Sequence, residues 1–262
     1  MHHELARALA FEEAMRERCA ERVVPFRYGR ALFNDTFASV WDLNVLRVDE
    51  PESATAEALA VEAERLHAAA GQRHRRVAVP DEEAGARLEA GFRTLGWEAD
   101  RFVLMAWRGG GERGGDTTIV EEVEAAAQRP LRERTAALEP WADSDETVRM
   151  VLDAGRLVSR AGRGRHFAVK DGGEVVSVAD LYSDGRTAQV EDVVTSPEHR
   201  GRGYASAVVL TAVAEATRTG HDLVFLVADD ADWPKELYAR LGFAPLGRKW
   251  TFLRLPARAA PE

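Results

Sequence analysis

The apolar positions along the chain fall into alternating strand-like and helix-like blocks. In the second half, "TTIVEEV" (117–123) reads as a strand. Residues 143–160 then carry Val148, Val151, Leu152, Gly155 and Val158 on one helical stripe. The stretch "RHFAVKDGGEVVSVADLYSDGRTAQVEDVVTS" holds three strands parted by "DGG" and "SDG", both hairpin turns. A helix over about 202–219 ends at Gly220, and "DLVFLVA" (222–228) is a continuous apolar run, the pattern of a strand buried on both faces. A short helix over 233–241 has Pro234 in its first turn and Gly242 past its end, and 243–255 supplies one or two closing strands.

The first half repeats the last part of that order. Strand-like 39–48 leads to an alanine-rich helix over 54–70, then the strand "RRVAVP", a helix over 81–95 and the strand "WEADRFVLMAW". "FRTLGW" (92–97) matches "YARLGF" (238–243), each followed by about ten strand-like residues. Between the halves lies "RGGGERGGD" (108–116), five glycines among charged residues with no apolar anchor, which reads as a linker. The predicted domains are therefore 1–108 and 117–262, with 109–116 between them, both α/β.

Composition narrows the class. The 262 residues suffice for two domains with real cores. A formal charge of −9 argues against a general nucleic-acid binder, so no nucleic-acid partner is expected. One cysteine, Cys19, excludes an internal disulfide framework and a cysteine-based zinc cluster. No His/Asp/Glu cluster has ligand spacing, so no metal is expected. No apolar run reaches the roughly 18 residues that span a membrane, and the N-terminus lacks a secretory pattern. A cytoplasmic protein with no membrane partner is the expectation.

The chemistry concentrates in "SPEHRGRGYASA" (196–207), between a strand and a helix. The first amides of a helix lack intrahelical acceptors, and the dipole makes that end favourable for anions. Glycines allow positive φ and close approach of a phosphate, and Arg200 and Arg202 add charge. The stretch has neither the G-x-G-x-x-G spacing of a dinucleotide fingerprint nor the G-K-[ST] of a Walker loop. Without either fingerprint, a plain glycine turn with solvated arginines is the competing reading.

Arg200-Gly201-Arg202-Gly203-Tyr204-Ala205 matches R-x-x-G-x-[GA], and the chain here resembles the GNAT family of N-acetyltransferases. The resemblance spans the second half: the strand before the loop, the helix after it, the buried strand, and "LYARLGF" near the end. It implies two tandem GNAT-like domains, each a mixed, mostly antiparallel sheet flanked by helices, the first a degenerate copy. It implies acetyl-CoA as cosubstrate. Backbone amides of Arg200, Gly201, Arg202, Gly203, Tyr204, Ala205 and Ser206 would hold its pyrophosphate, and Val193, Val194 and Thr195 would pair with its pantetheine arm. The acceptor would be an amine of a small molecule or peptide, and the first half is left a role as scaffold, acceptor wall or homodimer interface. Where the family often has asparagine after the next strand, "ADDAD" offers Asp229 or Asp230 instead.

Acetyl transfer from a thioester to an amine needs a base for the ammonium, a donor for the oxyanion and an acid for the leaving thiolate. Glu191 in "VEDVV" resembles the "LED" strand of polyamine-type family members and is the base candidate, against a water relay. Asp192 points to the opposite face by strand alternation. Tyr238 stands where the family places a tyrosine at the cofactor sulfur, and is the acid candidate. His166 is expected to be structural. Trp141, Asp143, Asp145 and Glu146 fall, by resemblance, in the segment covering the acceptor site. A CoA-binding sensor without turnover is the alternative, and it has no need of Tyr238.

Overall fold

The computed structural model describes residues 2–111 and 114–256. In chain order the helices are α1 (His2–Cys19), α2 (Ala56–Ala69), α3 (Glu82–Thr94), α4 (Ala125–Ala136), α5 (Asp145–Ala161), α6 (Tyr204–Arg218) and α7 (Pro234–Arg240). The strands are β1 (Arg22–Phe26), β2 (Gly29–Phe33), β3 (Val45–Val48), β4 (Arg75–Val79), β5 (Glu98–Trp107), β6 (Val120–Val123), β7 (Arg165–Asp171), β8 (Glu174–Ser183), β9 (Thr187–Thr195), β10 (Leu223–Asp229) and β11 (Phe243–Arg254). The expected strand at 117 opens instead as a 3-10 turn, Thr117–Ile119, with β6 starting at Val120. Helices α1 and α4 and the β1–β2 hairpin are additions to the sequence pattern.

The chain forms two compact units that interleave along the sequence rather than dividing it at 109–116. One holds Met1–Met15 with Val103–Leu246, and the other Arg16–Phe102 with Gly247–Glu262. The closing strand of each half is therefore shared out. Val103 and Met105 of β5 enter the core of the first unit, and Trp250 and Phe252 of β11 enter the core of the second.

In the second unit β1, β2 and β3 run antiparallel, β3 and β4 run parallel through the α2 crossover, and β11 pairs antiparallel with β4, Phe252 opposite Val77. Thr55 caps α2 by accepting from the Ala58 amide, and Asp81 caps α3 by accepting from that of Ala84. The core is Leu46, Leu59, Leu88, Phe92 and Phe252 with alanines from both helices.

In the first unit β6, β7, β8 and β9 form an antiparallel meander, and β9 passes through α6 to β10, which lies parallel to it. Helix α6 buries Ala207, Val208, Val209, Ala212, Val213 and Ala216 on that sheet. Its small residues let the helix lie close, so its N-terminus is fixed at the end of β9.

The glycines between the halves have a steric reason beyond flexibility. A Cβ on Gly115 would stand 2.5 Å from the Gly203 carbonyl oxygen and 2.8 Å from the Ala207 amide nitrogen. One on Gly111 would stand 2.2 Å from the Leu241 carbonyl carbon. The described residues of this stretch pack against the start of α6 and the end of α7; Glu112 and Arg113 lie outside the described residues.

Candidate active site

The site is built where two parallel strands part. β9 and β10 are in register from Thr187 opposite Leu223 to Val190 opposite Leu226. Beyond that pair β9 runs on through Glu191, Val193, Val194 and Thr195, and β10 through Val227 to Asp229, without pairing to each other. On its other side β9 stays bonded to β8, with Val194 opposite Val178 and Thr195 opposite Ser177. The edge of β9 toward β10 is thus open from Glu191 onward, a wedge that an extended ligand can enter as an added strand.

A bulge marks the start of the wedge. Between the pairs Asp180–Glu191 and Val178–Val194, β8 has one residue, Ala179, and β9 has two, Asp192 and Val193. Asp192 takes a left-handed φ of +54°, rare for a residue other than glycine. Bulges bend a strand and raise its twist, which is a physical cause for the parting. The simple alternation expected for Glu191 and Asp192 is broken here, and the Asp192 side chain turns to Tyr182 and Arg132.

The loop after β9 leads into α6 through Arg200, Gly201, Arg202 and Gly203. Gly201 and Gly203 have φ of +77° and +80°, and Gly203 is the N-cap of α6 with no side chain capping the first turn. The amides of Tyr204, Ala205 and Ser206 head a 15-residue helix, an end whose dipole favours an anion. Arg202 pairs with Asp171 at 3.2 Å, so part of its charge is spent within the fold. The Arg200 side chain donates to the Thr195 carbonyl, at 3.4 Å, and its backbone amide to that of Pro197, at 3.3 Å; among the described residues no carboxylate pairs with it. His199 is half-buried, bonded to the Ser196 hydroxyl at 2.6 Å and 3.4 Å from Asp171.

Tyr238 and Glu191 share one neighbourhood. Tyr238 packs edge-on to Phe243, ring centroids 6.1 Å apart. Burial pushes its hydroxyl pKa up to about 12, and the Glu191 carboxylate adds to the rise. Glu191 also accepts a hydrogen bond from the Gln189 amide. Of the two acids after β10, Asp230 is buried and paired with Lys235, whereas Asp229 caps the following turn by accepting from the Ala231 amide. Among the described residues no group of three or more His, Cys, Asp or Glu side chains converges as a metal site, and no helix is long and apolar enough to cross a membrane.

Residues 123–243 match the family model of the acetyltransferase (GNAT) family. This part of the chain belongs to the GNAT family. Among solved structures, a functionally unknown conserved protein from Staphylococcus epidermidis superposes with a TM-score of 0.69 at 15% identity, over 90% of this chain and 94% of that one. A GCN5-related N-acetyltransferase from Kribbella flavida gives 0.65 at 20% identity over 96% and 95%. A tandem GNAT protein from the clavulanic acid biosynthesis pathway gives 0.53 at 14% over 82% and 76%. At these identities the likeness concerns fold, and it covers both halves, an α/β architecture of two tandem GNAT-like domains. No curated protein matches the chain.

The GNAT segment also holds a buried polar network that the sequence pattern did not single out. Asp180 on β8, only 4% exposed, is 2.8 Å from His166 Nδ1 and 3.0 Å from Arg132 Nη2. The Tyr182 hydroxyl lies 3.2 Å from both Asp180 and Asp192. Arg132 Nη1 donates to the Asp192 carbonyl at 3.3 Å, and its Nε to Gln128 at 3.0 Å. Burial works against the Asp180 carboxylate, yet His166 and Arg132 hold its pKa below the ordinary value. Burial, and then Asp192 and Asp180, raise the Tyr182 hydroxyl well above its ordinary pKa. His166 is structural in placement, as expected, and its second nitrogen meets Ser159 at 3.3 Å. The signal available in the sequence was an aspartate and a tyrosine inside the apolar strand "EVVSVADLYS".

Proposed function

We propose that the chain is an acetyl-CoA-dependent N-acetyltransferase that acetylates an amine of a small molecule or peptide. The observation that carries this reading is the uncapped N-terminus of α6, set behind two left-handed glycines at the mouth of the β9–β10 wedge. It fits a ligand with a pyrophosphate at one end and an extended amide-bearing arm at the other.

In this reading the amides of residues 200–206 hold the pyrophosphate and Arg200 adds charge, while Val193, Val194 and Thr195 pair with the pantetheine arm. Acetyl-CoA supplies an activated acetyl group as a thioester. Glu191 removes a proton from the acceptor ammonium, directly or through water, which frees the lone pair that attacks the carbonyl carbon. Tyr238, protonated throughout the physiological range, gives its proton to the sulfur as the C–S bond breaks. The first half serves as a degenerate copy without a cofactor site of its own.

Release of free CoA from acetyl-CoA, followed by a thiol reagent against a panel of amines, tests the reading. Turnover with at least one amine supports it. Tight CoA binding with no turnover on any amine replaces it with the sensor reading.

A further inference from the structure

The bulge on β9 has a dedicated clamp. Asp192 sits at φ +54° at the point where the strand leaves its regular register, and no glycine supplies that conformation. Such a backbone persists only where the surroundings over-determine it. Three groups do so here. Arg132, reaching across from α4, donates Nη1 to the Asp192 carbonyl at 3.3 Å and keeps the same nitrogen 3.9 Å from its carboxylate. Tyr182 offers its hydroxyl to the Asp192 carboxylate at 3.2 Å. Asp180 anchors both clamp residues from below, at 3.0 Å from Arg132 Nη2 and 3.2 Å from the Tyr182 hydroxyl, and is itself held by His166. Gln128, buried one turn earlier on α4, orients the guanidinium through its Nε.

We infer that Arg132 is a positioning residue for acyl transfer, fixing the left-handed bulge at Asp192 so that the open edge of β9 from Glu191 to Thr195 keeps its geometry. This rests on the acetyltransferase reading above. Among the described residues the side-chain contacts of Arg132 go to Gln128, Asp180 and Asp192, not to residues 200–206 or Tyr238, so its effect on the reaction runs through the backbone between Glu191 and Val193. A guanidinium suits the task because it makes three differently directed contacts at once, to Gln128, Asp180 and the Asp192 carbonyl. Loss of the clamp lets β9 return toward regular pairing with β8, which rotates Glu191 and the amide that follows the bulge. Catalytic groups tolerate little such displacement.

The test is the full-length Arg132→Met variant, alone and combined with Asp192→Gly. The expected result for Arg132→Met is a kcat at least tenfold lower with the acetyl-CoA dissociation constant within twofold of wild type. Asp192→Gly in that background should recover most of the loss, because glycine adopts the left-handed φ without a clamp. A crystal structure of Arg132→Met should show Asp192 out of the left-handed region and a changed β8–β9 register. An unaltered bulge overturns the inference, and so does a lost bulge with unchanged kcat, or a double variant no better than the single. Should Arg132→Met fail to fold, Tyr182→Phe removes one arm of the clamp. Faster hydrogen exchange over residues 190–195 is then expected, and unchanged exchange overturns the inference. A wild type with no turnover on any amine sinks the acetyltransferase reading instead, and the backbone of the variants still decides whether the clamp exists.

Discussion

Phe92 stacks on Phe252, ring centroids 4.1 Å apart and planes 15° from parallel, with neither side chain exposed. Phe92 closes α3 in the first half of the chain and Phe252 lies on its last strand. The final strand of the chain therefore completes the core around the first half's helices, pairing with β4 from Trp250 opposite Val79 to Arg254 opposite Arg75. Phe252→Ala should destabilise the unit that holds it by about 3–5 kcal/mol, the usual cost of emptying a buried phenylalanine site. Denaturant unfolding measures this, and a loss below about 1 kcal/mol would mean that the stack is incidental. By the same logic a fragment ending at residue 108 should not fold, since it lacks β11.

Much of the site was legible because it is local in sequence. The strand–loop–helix from Thr187 to Arg218 needs only an apolar run, two glycines and an alanine-valine helix, and the structure has each in that order. Three features were not legible, and each depends on distant partners. Helix α4 buries only Gln128 and Leu131 and carries Pro130 inside it, so it shows no apolar stripe. The bulge at Asp192 needs Arg132, sixty residues away. The sharing out of β5 and β11 leaves no trace in a pattern, because a strand reads the same whichever sheet it joins.

A second consequence concerns pH. His67 and His74 are buried with ring centroids 5.4 Å apart, and both ε nitrogens lie 3.3 Å from the Asn44 carbonyl. Burial lowers both pKa values to about 4, and the His67 ring further disfavours charge on His74. Between about pH 6.5 and pH 4 the unfolded chain therefore binds more protons than the folded one. Stability should be full above pH 6.5 and fall as pH drops through that window, by on the order of 3 kcal/mol for one ring. Thermal unfolding midpoints recorded from pH 7.5 to 4.5 check this. Replacing both rings (His67→Gln with His74→Gln) should flatten the dependence, and an unchanged slope would refute the assignment.

The loop before α6 depends on the backbone of Gly203. A Cβ on Gly203 meets nothing closer than 3.4 Å, so the obstacle to a side chain there is its φ of +80°. Gly203→Val should move this backbone out of the left-handed region and weaken CoA binding at least tenfold, about 1.4 kcal/mol. Calorimetry on the folded variant decides it, and an unchanged dissociation constant would remove residues 200–206 from the cofactor site.

Tyr238 and Glu191 should be separable by titration. Tyr238→Phe keeps the ring against Phe243 and removes the proton, so kcat should fall roughly 10²-fold with CoA affinity nearly intact. Glu191→Gln should lower kcat/KM and remove or shift the acidic limb of its pH profile. Because Glu191 contributes to the raised pKa near 12, the same variant should also lower the Tyr238 phenol pKa, leaving burial as its remaining cause. Ultraviolet phenolate titration, with Tyr238→Phe as the reference, reads that shift directly. No shift would separate the two residues and leave the proton acceptor to water.

The number of CoA molecules bound per chain follows from how the two corresponding helix starts are finished. At α6 the N-cap is a glycine, and among the described residues no side chain caps the first turn. At α2 the cap is Thr55, whose hydroxyl accepts from the Ala58 amide at 3.2 Å. The loop before α2 is also occupied from outside: Arg87 donates to the Pro51 carbonyl at 2.7 Å and to that of Ala54 at 2.9 Å. Glu52 stands exposed in this loop, where a phosphate would need positive charge. At the place matching Tyr238 is Phe92, which has no hydroxyl and is already stacked on Phe252. Amides satisfied by a side chain gain little from an anion, and a neighbouring carboxylate opposes one. Calorimetric titration of the full chain with acetyl-CoA should therefore give one site per chain, and Gly203→Val should weaken that single site with no second one emerging. A stoichiometry of two, or a site that survives Gly203→Val at full affinity, would place cofactor binding in the first half and overturn its description as a degenerate copy.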